Sequence, residues 1–118
     1  MVASDFIRSV LDVFAYEREP DHALVIAAGV PDAWLDGDGI AIERLRTPFG
    51  ALSYSLARRD GRVRLEVSGD GFAMPPGGIV FAPPGVARDA KARVGSRRER
   101  LRDGMLRLRQ LPAVVDVD

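Results

Sequence analysis

The chain of 118 residues has no cysteine, one histidine (His22) and one lysine (Lys91). Without cysteine there is no disulfide framework, no thiolate nucleophile and no thiolate metal ligand, and the compartment is left open. His22 has no cysteine or neighbouring serine beside it, so the sequence offers no nucleophile–base array, and His22 reads as a polar residue at a strand entrance. No apolar run approaches the ~20 residues that cross a bilayer. The opening stretch, MVASDFIRSVLDVF, is broken by Asp5, Arg8 and Asp12 and so lacks the continuous apolar core of a signal peptide. The chain reads as mature or excised, with no membrane partner expected. It is also too short for a barrel enzyme of about 250 residues.

What is present fits one β-rich globular domain. Hydrophobic residues make up 47% and charged residues 29%, the mixture of a chain that buries a core. The net charge is zero, yet the signs are segregated. Up to residue 43 there are nine acids against Arg8 and Arg18, whereas from 86 to 109 nine bases face Asp89, Glu99 and Asp103. Such a basic stripe, Arg88 to Arg109, can mark a nucleic-acid surface. Charges of opposite sign neutralising each other across neighbouring strands of one domain explain it better, and that reading is preferred. Sixteen of the 17 bases are arginine, which points to compositional bias rather than selection site by site.

Ser4 or Asp5 can cap a helix, and Phe6, Ile7, Val10, Leu11, Val13 and Phe14 recur at helical spacing. An amphipathic helix is therefore expected over Asp5 to Tyr16, followed by a polar connector ending at Pro20. This sets a leading helix and linker, 1–20, before a β domain, 21–118. Leu24 to Ala28 is a buried strand by composition. Pro31 to Leu35 suits one helical turn or a tight corner. Ile40, Ile42 and Leu45 lead a strand that breaks at Thr47-Pro48. Leu52, Tyr54 and Leu56 alternate with polar or small residues. After the Asp60-Gly61 turn, Val63, Leu65 and Val67 do the same, so the two runs form a hairpin. Ile79 to Phe81 is a strand ended by Pro83-Pro84. Ser96 to Leu111 can be drawn as a basic helix, but strands are preferred, because Met105 to Leu108 follows an Asp-Gly turn and Val114, Val115 and Val117 have no helical period. The expected class is mainly β: an antiparallel β-sandwich of about eight strands with one N-terminal helix.

Few residues suggest chemistry. Asp36-x-Asp38-Gly39 resembles the start of a calcium loop, but in register with that pattern the first ligand falls on Trp34 and the last on Leu45, so a solvated turn is preferred and no metal is expected. Gly37-x-Gly39 lacks a third glycine, and Gly77-Gly78 is not followed by Lys-Ser or Lys-Thr, so neither is a nucleotide loop. No cofactor is expected. Nothing singles out a pair of carboxylates of the kind glycosidases use. Among the aromatic residues, Tyr54 belongs to an alternating core face, whereas Trp34 and Phe49 flank proline corners and suit either packing or stacking on sugar rings, with packing in the core or at a domain interface preferred.

The segment LVIAAGVPDAWL, then a glycine turn and RTPFGALSYSL, resembles the C-terminal β-sandwich that follows the (α/α)6 catalytic barrel in many bacterial glycoside hydrolases and phosphorylases. Gly29, Pro31 and Trp34 match its G-x-P-x-x-W corner. Thr47, Phe49, Gly50 and Leu52 match its T-x-F/Y-G-x-L turn-strand. Asp103 to Leu106 and Leu111 to Val114 look like its closing strands. The resemblance implies a non-catalytic accessory domain that packs on and stabilises the catalytic domain of the same polypeptide, with Trp34 and Phe49 as the residues for carbohydrate contact. An exported parent, periplasmic or extracellular, is compatible with it. Two alternatives stay open: an independent carbohydrate-binding module, and a nucleic-acid binder using Arg88 to Arg109.

Overall fold

A computed structural model of the chain describes residues 15–18 and 21–118. Within them lie ten strands, β1 (Ala15–Arg18), β2 (Ala23–Ile26), β3 (Ile40–Thr47), β4 (Gly50–Arg59), β5 (Arg62–Asp70), β6 (Ile79–Phe81), β7 (Lys91–Val94), β8 (Arg97–Arg100), β9 (Leu106–Leu108) and β10 (Ala113–Val117), with one 3-10 turn at Asp32–Leu35. They form two sheets, a four-stranded one ordered β1-β2-β6-β9 and a six-stranded one ordered β3-β4-β5-β10-β7-β8. Only β2 and β6 run parallel; every other pair is antiparallel.

The hairpin read from alternation is the backbone of the larger sheet. Leu56 lies opposite Leu65 and Tyr54 opposite Val67, so the apolar set of both strands reaches one face, where these residues are buried. In β3 the apolar spacing steps by two and then by three, Ile40, Ile42, Leu45, which in an unbroken strand would turn Leu45 to solvent. A bulge between Ile42 and Leu45 absorbs the extra residue and keeps Leu45 opposite Leu52. Arg44 takes the left-handed backbone at φ 52°, and its N–H donates to Ser53 Oγ at 2.9 Å.

Both sheets share one hydrophobic core. Leu24, Ile26, Ile79 and Phe81 from the small sheet cluster with Leu52, Leu56, Leu65, Val115 and Val117 from the large one. The chain passes from β2 to β3 through the 3-10 corner, whose Leu35 is fully buried in that core. Burying each such side chain contributes about 1.5–3 kcal/mol. The opposite side of β2 and β6 carries a second, smaller cluster, Ala23, Val25 and Val80, with Met105 packed on it.

Three expectations change. Ten strands replace about eight. The expected helix over Asp5 to Tyr16 lies outside the described residues except for Ala15 and Tyr16, and these two are in β1, paired with Ile26 and Val25. The residues read as the start of a polar connector, Glu17 and Arg18, belong to the same strand, so β1 and β2 stand on either side of residue 20 as hydrogen-bonded neighbours. Their stability comes from pairing with a fully buried strand, which local periodicity does not report.

Candidate binding surfaces

The corner after β2 exposes the only tryptophan. Pro31 supplies the fixed φ that opens the turn, and its carbonyl accepts from Trp34 N–H at 3.0 Å. Leu35 anchors the turn from below, while Trp34 remains 47% exposed. On either side of it, Asp32 and Asp36 are both gripped by Arg58 of β4: Nη1 lies 3.1 Å from Asp36 Oδ1, and Nη2 contacts Asp32 Oδ1. Gly85, at φ +71°, backs this pair, and a Cβ there would run into both the Asp32 carboxylate and the Arg58 guanidinium. The corner is thus a rigid mount for an aromatic ring. Asp36 is engaged by arginine, and among the described residues no three His, Cys, Asp or Glu side chains gather as a metal site.

Phe49 lies elsewhere. It sits in the β3–β4 turn, where Thr47 Oγ1 donates to Gly50 O at 2.7 Å and accepts from Phe49 N–H at 3.1 Å. Its ring is partly buried, packs on the shared core and meets Phe72 edge to face at 6.5 Å. Trp34 is beside Arg58 at the far end of β4, so the two aromatics are separated by roughly 25 Å of strand and do not make one platform. His22 is on the turn into β2 at φ 52°, with Nδ1 3.8 Å from Glu17 Oε2.

The basic stripe is divided between the two sheets. One part gathers around β9: Arg107 reaches Asp21 Oδ2 at 3.3 Å and donates to the Gly77 carbonyl. Arg18 clasps the same Asp21 through Nη2–Oδ2 at 2.6 Å. The hydrogen bond from Arg18 holds the Asp21 carboxyl well below its ordinary pKa, and the Ala23 N–H and Arg107 act in the same direction. Arg88 pairs with Asp103 at 3.1 Å.

The other part faces out from the large sheet. Lys91 and Arg93 of β7 stand directly opposite Arg100 and Arg98 of β8. Two arginines outside the stripe, Arg62 and Arg64 of β5, join them across β10. Two rows result. Arg64, Asp116, Arg93 and Arg98 follow one another across four strands, a span of about 14 Å. Arg62, Asp118, Lys91 and Arg100 form the next row, with Asp118 held by its N–H on Lys91 O at 2.9 Å. These bases line a shallow open depression of about 770 Å³ with Glu99, Asp116 and Asp118. Arg62 reaches Asp118 at 3.4 Å and Arg64 reaches Asp116 at 3.6 Å. Among the described residues, Lys91, Arg93, Arg98 and Arg100 have no carboxylate at ion-pair distance. Arg62 and Arg64 were legible as the solvent face of β5 from its alternation; joining them to the stripe required the position of β10.

Compared with protein-family models, with characterised proteins and with solved structures, the chain matches none.

Proposed function

We infer that the chain is a non-catalytic accessory domain, a β-sandwich that packs on and stabilises the catalytic barrel of a carbohydrate-active enzyme within one polypeptide. The observation that carries this reading is the structural use made of the motif residues. Gly29, Pro31 and Trp34 form the crossing from the small sheet to the large one, with Leu35 plugged into the common core. Thr47 and Gly50 close the β3–β4 turn, and Leu52 lies fully buried opposite Leu45. The motif residues thus build the crossing between the sheets and a turn within the larger one, structural uses that support a non-catalytic domain. Trp34, exposed on its pinned corner, is the residue through which this domain would touch sugar; Phe49 packs largely inward.

Expressing the complete reading frame tests the reading. The expected result is a helical catalytic unit that cleaves a glycosidic bond, is separable by limited proteolysis, and melts several degrees lower when residues 21–118 are deleted. A full-length product without a glycoside-cleaving unit, or one whose Tm is unchanged by the deletion, overturns it.

A further inference from the structure

The outward face of β5, β10, β7 and β8 carries an arrangement that its own fold does not require. Like charges directly opposite on neighbouring strands destabilise a sheet, and here two such pairs, Lys91 with Arg100 and Arg93 with Arg98, adjoin each other. Charge on an edge strand protects it from pairing with another chain, which accounts for β8. It does not account for bases on β7, or for Arg62 and Arg64 beyond β10. The cost of this array is removed when an anionic ligand lies across it.

The chemistry of the face narrows that ligand. Arginine forks bind carboxylates in a bidentate manner. Asp116 and Asp118 stand between the bases in both rows. To a DNA phosphodiester backbone, which offers no hydroxyl donors between its charges, these carboxylates are repulsive. To a polymer that carries hydroxyl donors beside its carboxylates, they are acceptors placed between cationic contacts. No aromatic residue lies in the depression to stack on a base, as single-strand binders provide. We propose that this face binds an acidic polysaccharide bearing carboxylates, with Lys91, Arg93, Arg98 and Arg100 as the contact residues and Arg62 and Arg64 extending the track. The inference rests on the carbohydrate reading above for the class of polymer; none of that reading's motif residues lines the depression.

Titration of the 118-residue chain with polygalacturonate oligomers, with their methyl esters and with a short DNA duplex decides it, at low and at moderate salt. Saturable binding to polygalacturonate is expected, lost on esterification and weakened by salt through counterion release. The double substitution Arg93→Ser, Arg98→Ser should weaken it at least tenfold, the pair Arg93→Lys, Arg98→Lys should retain much of it, and Arg46→Ser, at an exposed base of β3 outside the depression, should leave it unchanged. A melting temperature no lower than that of the natural chain shows that the face, and not the fold, was altered, and for the Arg93→Ser, Arg98→Ser variant a small rise is expected because one like-charged pair is gone. No binding at low salt, equal affinity for the methyl ester, or indifference to the double substitution overturns the proposal while leaving the accessory reading standing. Tighter binding of the duplex through the same residues overturns it in favour of nucleic acid.

Discussion

At the scale of single residues, the structure is clasped by arginine. Arg58 holds Asp32 and Asp36 at the tryptophan corner, and Arg18 and Arg107 converge on Asp21. The second clasp ties the entrance of β2 to β9 and to the Gly77 loop, three segments far apart in sequence. Its pH dependence has a definite sign. The Asp21 pKa is lowered in the folded chain, chiefly by the hydrogen bond from Arg18, so the ionised carboxylate favours folding. That contribution is complete above the ordinary carboxylate pKa of about 4 and declines as pH falls below it towards the folded value. Because Asp21 is open to solvent, the effect is modest and sensitive to salt. Melting curves of the natural chain and of Asp21→Asn should differ most at neutral pH and low salt and draw together below about pH 4. A gap that widens on acidification would contradict the assignment. At the buried extreme, burial pushes the Tyr54 phenol upward, opposed by a backbone hydrogen bond from Ala27, so Tyr54 is neutral throughout the working range.

At the scale of elements, protection should follow position in the sheet. β5 lies between β4 and β10 with its apolar face in the core, whereas β8 is an edge strand with an almost wholly polar surface. Hydrogen exchange is expected to be slowest at the amides of Val63, Leu65 and Val67 and fastest, within the large sheet, along Arg97–Arg100. Uniform protection across the six strands would mean that β8 is held by something beyond β7. The same contrast explains what could be read from sequence. β4 and β5 have apolar residues at every second position and an Asp-Gly turn between them, so local pattern and tertiary burial agree. β7 and β8 carry charges on most positions, so no apolar alternation marks them, and the one local cue, the two-residue Gly95-Ser96 loop between them, went unused. β1 has neither signal: Ala15–Arg18 shows no useful alternation, and its place comes from pairing with β2. The preference for strands over a basic helix in Ser96 to Leu111 holds at β8 and β9. Of the surfaces, Trp34 was visible as a residue beside a proline corner. The basic face was only half visible, because β10, the last strand in sequence, inserts between β5 and β7 and brings Arg62 and Arg64 alongside Arg93 and Lys91.

At the scale of the whole molecule, the question is whether the two sheets are one cooperative body. The four-stranded sheet contributes two very short strands, β6 and β9, of three residues each, and hydrogen bonding alone does not stabilise so small a sheet in water. Its stability has to come from the face it shares with the larger sheet, and Phe81, paired with both Ile26 and Leu106, is the largest fully buried side chain at that junction. Truncating it removes apolar area and leaves a cavity, a loss of about 3–5 kcal/mol. Two probes report the result. Far-ultraviolet dichroism follows strand content, dominated by the six-stranded sheet, while the fluorescence of Trp34, the only tryptophan, follows the crossing between sheets. If the core is single, both probes give one midpoint in the natural chain, and Phe81→Ala moves the two together to lower denaturant. If Phe81→Ala shifts the fluorescence transition and leaves the dichroism transition in place, the small sheet unfolds by itself and the shared core does not couple the sheets. Coupling matters for the basic face as well: β10, which supplies Asp116 and carries Val115 and Val117 into that core, holds both rows of charge in register, so loosening the core would blur the face that the polymer has to meet.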